Sequence, residues 1–288
     1  MKIYGKNSRE YPERLRILDD MPDKLYVEGD MVENDRPSLA IVGARNCSCY
    51  GKNMAYEYAR ILAAQGVQII SGMARGVDAA AHAGAMAGGG KTYGILGCGV
   101  DICYPASNRK LYQQIPGQGG LISELEPGTP PMAYHFPRRN RIISGMADGV
   151  LVVEAKEKSG SLITADCALE QGKNVFALPG RAGDLLSEGC NRLIYQGAIP
   201  AWKPEIILEE MKWSKKNEVW RSNPGEKERL VLAREDKLVY SCLNLTPKSV
   251  SQLQEETGLS PTGLMSGLVR LTMNGLAQEI GKNYYIRS

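Results

Sequence analysis

One stretch in the middle of the chain combines the residue types that bind phosphate. It opens with a basic cluster, Arg138, Arg139 and Arg141. An apolar strand at residues 150–153 follows, and then a hydroxyl-rich turn, Ser159-Gly160-Ser161, leads into a helix pattern. Guanidinium groups bind phosphate oxygens in a bidentate manner, and the N–H groups at a helix N-terminus bind anions. The stretch therefore predicts a phosphate-binding crevice for a nucleic-acid strand.

Glycine, serine and arginine residues also follow the other apolar strands. Arg45 comes after the strand at residues 39–42, and Ser71-Gly72 comes after the strand at residues 67–70. Arg75 follows that second turn and opens an alanine-rich helix. Because ligands of α/β sheets bind beyond the carboxyl ends of the strands, these residues are expected to face one site.

The elements that must position these residues are buried strands that alternate with amphipathic helices. The predicted strands lie at residues 24–28, 39–42, 67–70, 92–96, 121–124, 149–154 and 174–178. Near-continuous apolar strands with helices between them are typical of parallel sheets that are covered on both faces. The fold class predicted is α/β, with a Rossmann-like, doubly wound and mostly parallel sheet.

The composition divides the chain into four segments. They are an edge segment packed on the main domain at residues 1–35, a Rossmann-like DNA-binding domain at 36–211, a polar linker at 212–228 and a small tail at 229–288. The tail reads as three helices and a hairpin, which predicts a winged-helix-like domain. Its third helix carries only Arg270, so protein contacts, weak DNA contacts and a plain packing role all stay open.

Several function classes are disfavoured by what the chain carries. The net charge of +3 permits a polyanion partner without requiring one. No dinucleotide fingerprint, nucleophile elbow or zinc-protease motif occurs, and seven cysteines without a C-x-x-C pair and two histidines do not suggest a metal site. We therefore expect no catalytic set, no cofactor and no metal. With no signal-peptide pattern or membrane-spanning run, we expect a cytoplasmic protein without a membrane partner.

Two alternatives stay open. Glu124 and Glu154 end strands and are the only candidates for a general base, in an enzyme that hydrolyses a nucleoside monophosphate in the same pocket. The competing expectation is that these carboxylates pair with the nearby arginines. A double-strand DNA-binding regulator that uses the tail is the other alternative, and the nearly neutral third helix disfavours it.

Long motifs in the chain resemble the DprA (Smf) family of DNA-processing proteins. They are GARNCSCYG at 43–51, SGMARGVDAAAH at 71–82, GILGCGVDICYP at 94–105, FPRRNRIISG at 136–145, VVEAKEKSGSLITA at 152–165, VFALPG at 175–180 and SEGCNRLI at 187–194. The resemblance covers most of residues 11–210, and the tail resembles the winged helix of the family more loosely. Some members carry a further helical module at the N-terminus, and only about ten residues precede Tyr11 here.

The resemblance implies a Rossmann-like protein that binds single-stranded DNA. It implies that the protein protects incoming strands during natural transformation, helps to load the recombinase RecA, and forms a homodimer. The residues expected to bind DNA are Arg45, Ser71, Gly72, Arg75, Arg138, Arg139, Asn140, Arg141, Ser159, Gly160 and Ser161.

Overall fold

The computed structural model describes residues 1–213, 234–244 and 246–287. The chain forms two compact units, Met1–Ser214 and Lys215–Ser288. Of the linker predicted at residues 212–228, residues 214–228 lie outside the described part of the chain.

A nine-stranded sheet forms the centre of the first unit. Its strands are β1 (Lys2–Gly5), β2 (Lys24–Gly29), β3 (Ser38–Val42), β4 (Gln68–Ser71), β5 (Thr92–Ile95), β6 (Gly119–Ser123), β7 (Gly149–Val152), β8 (Asn174–Ala177) and β9 (Ile199–Pro200). All seven predicted strands are present. β1 and β9 were not predicted, because they are short edge strands without a strong apolar pattern.

Helices connect these strands. They are α1 (Glu13–Arg16), α2 (Cys49–Ala64), α3 (Val77–Ala87), α4 (Arg109–Gln114), α5 (His135–Met146), α6 (Gly160–Glu170), α7 (Glu188–Tyr195) and α8 (Pro204–Glu210). The Ser48 hydroxyl caps α2 as predicted, because it accepts a hydrogen bond from the Gly51 N–H. The basic cluster, for which the strand pattern predicted no element, lies on α5.

The strand order is β1-β2-β6-β5-β4-β3-β7-β8-β9. The seven strands from β6 to β9 are parallel, whereas β1 and β2 extend the sheet in antiparallel fashion. The predicted mostly parallel α/β sheet is confirmed. The chain proceeds outward from β3 to β6 and then returns to β7 on the other side of β3, so the order reverses between β3 and β7. A crevice at the carboxyl ends of two such strands is the usual ligand site of doubly wound sheets.

Two apolar layers hold the helices on the sheet. One contains Ile142 and Ile143 of α5 against Val150 and Val152 of β7. The other packs α2 and α3 on the opposite face, with Leu62 among its members. Every residue of β3 is buried, as expected for a central parallel strand. This two-sided burial fixes the strand ends, from which the site residues project.

The described part of the second unit contains three helices and a three-stranded antiparallel sheet. The elements are α9 (Arg234–Cys242), β10 (Lys248–Ser249), α10 (Val250–Thr257), α11 (Pro261–Met273), β11 (Ala277–Gly281) and β12 (Tyr284–Arg287). Ser249 and Gln252 form a capping box at the start of α10, and Gly258 ends that helix with φ of 63°. The winged-helix assignment stays a prediction. Over both units, the described helices include none that is long and apolar enough to cross a membrane.

Candidate nucleic-acid interface

An open cleft of about 750 Å³ lies where the strand order reverses. One wall is the segment that follows β3 and includes Arg45 and Asn46. The facing wall is the segment that follows β7 and carries Lys156, Lys158 and the start of α6. The two walls come together because β3 and β7 are hydrogen-bonded neighbours in parallel. The cleft thus occupies the position in the sheet where the sequence analysis predicted a ligand.

The N-terminus of α6 opens onto this cleft. Ser159 caps the helix by accepting a hydrogen bond from the Ser161 N–H, and the two hydroxyl oxygens lie 2.8 Å apart. Asn140 on α5 donates to the Gly160 carbonyl at 3.2 Å and so ties the two helices together. A helix N-terminus carries a partial positive charge and N–H groups without partners in the helix. This end of α6 is therefore suited to an anion such as phosphate.

Arg45 is exposed at the opposite wall, and aromatic rings support it. Its guanidinium carbon lies 5.4 Å from the centroid of the Phe136 ring, within the range of a cation–π contact. The Tyr104 ring stacks on Phe136 with centroids 5.5 Å apart. A side chain at Gly97 would place its Cβ 2.8 Å from the Phe136 ring, so only glycine allows the ring to lie this close. The Arg45 side chain is thus held over an aromatic ring at the cleft, which the Asp78 side chain also lines.

Arg139 lines the same cleft but is almost entirely buried, with 5% of its surface exposed. Its Nη1 donates to the Gly72 carbonyl at 2.6 Å and to the Ile95 carbonyl. Burial lowers the pKa of Arg139 to about 10, although the Asp78 carboxylate opposes that shift. Burial likewise raises the pKa of Asp78, which accepts hydrogen bonds from the N–H groups of Gly72 and Ala74. Arg139 therefore ties together the ends of β4 and β5.

The other two arginines of the cluster point elsewhere, because residues that are adjacent in a helix differ by about 100° in direction. Arg141 binds Glu124 at 2.6 Å and donates to the Asp20 carbonyl, and its side chain is 11% exposed. Arg138 is 63% exposed, and its Nη2 lies 3.5 Å from the same Glu124 carboxylate. Neither is among the residues that line the cleft.

The predicted residues at the end of β4 and in the turn after it, Ser71, Gly72 and Arg75, are also not among those that line the cleft. The Ser71 hydroxyl is buried and donates to the Ile41 carbonyl at 2.6 Å. Gly72 lies beneath the Arg139 guanidinium, and Arg75 is exposed outside the lining. Of the eleven predicted residues, the structure brings together in the cleft Arg45, Arg139, Asn140, Ser159, Gly160 and Ser161. The remaining five are Ser71, Gly72, Arg75, Arg138 and Arg141.

Two exposed lysines at the cleft were missed by the sequence analysis. Lys156 and Lys158 flank the mouth of α6 and add positive charge next to its N-terminus. Their signal was present in the sequence, because they directly precede the Ser159-Gly160-Ser161 turn. Tyr104 was missed as well, since it is distant in sequence from every other lining residue that the analysis considered.

The two candidate bases are both engaged in structural contacts. Glu124 pairs with Arg138 and Arg141, as the sequence analysis expected. Glu154 instead accepts hydrogen bonds from the Ser48 N–H at 2.8 Å and the Ser48 hydroxyl at 2.5 Å, at the start of α2. Its expected arginine pairing is wrong, because the carboxylate is 4% exposed beneath a helix N-terminus that binds it. Neither carboxylate is placed to activate water in the cleft.

Comparison with known proteins places this arrangement in a family. Residues 2–212 match the family described as DNA recombination-mediator protein A. The chain is 47% identical over 208 residues to the protein Smf of Escherichia coli, an alignment that covers 72% of the chain and 56% of that protein. The chain thus spans little more than half the length of this relative. It is 41% identical over 203 residues to the DNA processing protein DprA of Streptococcus pneumoniae, covering 70% of the chain and 72% of that protein.

Two solved structures agree with the sequence matches. The DNA processing protein A of Streptococcus pneumoniae superposes with a TM-score of 0.69 at 39% identity, covering 73% of this chain and 74% of that one. DNA processing protein A of Helicobacter pylori, described for its single-stranded DNA binding mode, superposes with a TM-score of 0.65 at 34% identity, covering 70% of this chain and 92% of that one. The chain therefore belongs to the DNA recombination-mediator protein A family, which is the family of DprA and Smf.

Proposed function

We propose that this protein binds single-stranded DNA through the cleft between β3 and β7, protects incoming strands and helps to load RecA onto them during natural transformation. The observation that carries the proposal is the convergence of Arg45, Lys156 and Lys158 with the open N-terminus of α6. Three cations and a helix N-terminus around one cleft supply the positive charge that attracts a phosphate backbone. The similarity to the Helicobacter pylori protein supports a single strand as the ligand.

Within this proposal the predicted residues have different tasks. Arg45 and the N–H group of Gly160 bind phosphate directly, and the two lysines add long-range attraction. Arg138 is exposed and only loosely paired at 3.5 Å, so it can turn from Glu124 to a phosphate at the rim. The Tyr104 ring, which is 45% exposed beside Phe136, offers a face on which a base can stack. Because these groups contact the backbone and the faces of bases, little sequence preference is expected.

The preference for single strands is the first test. Binding of a labelled oligothymidylate and of a duplex of equal length is measured by fluorescence anisotropy at about 50 and 200 mM salt, where phosphate contacts produce a steep dependence. We expect tighter binding of the single strand. Equal affinity for both forms would contradict the proposal and would favour a duplex-binding regulator.

The partners require their own experiments. Sedimentation of the protein alone tests the proposed homodimer. Addition of the protein to RecA and a single strand covered by a single-strand binding protein tests loading, which is read as the rate of DNA-dependent ATP hydrolysis by RecA. We expect a shorter lag before hydrolysis begins. An unchanged lag in the presence of intact DNA binding would contradict the RecA proposal alone.

A further inference from the structure

We infer that Arg139 is a positioning residue of the cleft rather than a phosphate ligand, because its guanidinium clamps the ends of β4 and β5 to α5. This inference rests on the proposed DNA-binding function and refines it. The sequence alone grouped Arg139 with the arginines expected to touch DNA. The geometry separates it from them.

The contacts of Arg139 are directed at the protein's own backbone. Nη1 donates to the carbonyls of Gly72 and Ile95, and Nε donates to the Asn140 side chain at 3.3 Å. These carbonyls belong to the ends of two neighbouring parallel strands. A planar guanidinium can span two such acceptors, whereas a lysine ammonium lacks the rigid fork. Turning the side chain toward a phosphate would break these bonds and leave buried carbonyls without donors.

The charge of Arg139 is also compensated inside the protein. Asp78 attracts it electrostatically, and the same carboxylate holds the N–H groups of Gly72 and Ala74. The turn that follows β4 is thus fixed from both sides, through its N–H groups by Asp78 and through its Gly72 carbonyl by Arg139. A cation with a buried counterion adds less to the field in the cleft than the exposed Arg45.

Fixing Arg139 also fixes the residues of α5 that shape the cleft. Phe136 lies three positions earlier, on the same face of the helix, and supports Arg45. Asn140 is the next residue and holds the Gly160 carbonyl at the mouth of α6. Residues of α5 therefore support both walls of the cleft. Arg139 fixes the position of α5 against the ends of β4 and β5. Pre-positioned groups bind more tightly because less freedom is lost on binding.

Gly72 provides a way to disturb this clamp without changing any charge. A Cβ at Gly72 would lie 2.7–2.8 Å from three atoms of the Arg139 guanidinium. Its φ is not in the left-handed region, so alanine is opposed there by the Arg139 side chain and not by the backbone conformation. Gly117 is a matched control, because a Cβ there meets nothing within 4 Å and its φ is also not left-handed.

The test measures oligothymidylate affinity for Arg139→Lys, Gly72→Ala, Gly117→Ala and Arg45→Gln, at a temperature where circular dichroism shows each variant to be folded. We expect Arg139→Lys and Gly72→Ala to weaken binding by roughly tenfold, the scale of one well-made charged hydrogen bond, and Gly117→Ala to bind like the wild type. The effect of Arg45→Gln should shrink in the Arg139→Lys background, because Arg45 is then no longer held in place.

The outcomes separate the inference from the function on which it rests. Wild-type affinity in Arg139→Lys would overturn the inference, since a lysine can replace an arginine as a simple phosphate ligand. Wild-type affinity in Gly72→Ala would overturn it as well, and this variant decides the question if Arg139→Lys does not fold. A loss of thermal stability with unchanged affinity would show a purely structural role and would also overturn it. No binding by the wild type, or no effect of Arg45→Gln, would instead defeat the proposed function.

Discussion

Arg45 in the first unit and Arg270 in the second unit are held in opposite ways. In the first unit Arg45 is exposed over an aromatic ring, in the same cleft as a helix N-terminus. In the second unit Arg270, the only basic residue of α11, binds Asp236 at 2.6 and 2.9 Å. The exposed side of α11 also presents apolar residues, Met265, Val269 and Met273. A phosphate site is therefore identified by where the countercharge lies and by which backbone N–H groups are free, and not by the number of basic residues.

The largest expected difference between the units concerns the aspartates that attract Arg139 and Arg270. Asp78→Ala removes a buried carboxylate that attracts Arg139 and accepts hydrogen bonds from the Gly72 and Ala74 N–H groups, and it should reduce the free energy of unfolding by about 3–5 kcal/mol. Asp236→Ala should cost less, because the Arg270 side chain is 46% exposed and water can solvate it. Urea denaturation followed by circular dichroism measures both. Equal losses would show that burial does not distinguish the two pairs.

A second difference concerns two tyrosines of similar exposure. Tyr104 is 45% exposed at the cleft, and Tyr284 is 48% exposed on β12. Removing a ring on which a base stacks typically costs about 1–3 kcal/mol of binding. We expect Tyr104→Ala to weaken oligothymidylate binding by this amount and Tyr284→Ala to leave it unchanged. A comparable loss in both variants would move part of the interface to the second unit.

Acid should weaken the first unit, because His82 is fully buried in it. Burial lowers the pKa of His82 from its usual 6.5 to about 3, and its Nδ1 lies 2.7 Å from the Thr92 hydroxyl. Between these two pKa values the unfolded chain binds more protons than the folded one, so stability falls as the pH falls below about 6.5.

The slope attributable to His82 should be about 1 kcal/mol per pH unit near pH 5. Denaturation midpoints at several pH values measure it, and His82→Gln should have a shallower dependence than the wild type. Identical pH profiles for the two proteins would refute the assignment of this slope to His82.

The sequence predicted the architecture well because strands and helices are encoded locally. Apolar runs such as residues 39–42 and 149–154 became β3 and β7, and the glycine and serine residues after them became the walls of the cleft. The direction of individual side chains was harder to predict. Arg138, Arg139 and Arg141 are neighbours in sequence, yet α5 directs Arg139 to the strand ends and Arg138 and Arg141 to Glu124. The partners that separate them, Gly72 and Glu124, are distant in sequence and meet them only after folding.

The most direct test of the account is the salt dependence of oligothymidylate binding for the wild type, Arg45→Gln and Arg270→Gln. Each phosphate contact to a single strand contributes about −0.7 to the slope of log K against log salt concentration. We predict that Arg45→Gln makes the slope less steep by about 0.7 and that Arg270→Gln leaves it unchanged. An unchanged slope in Arg45→Gln, or a loss found only in Arg270→Gln, would contradict the assignment of the cleft as the DNA-binding site.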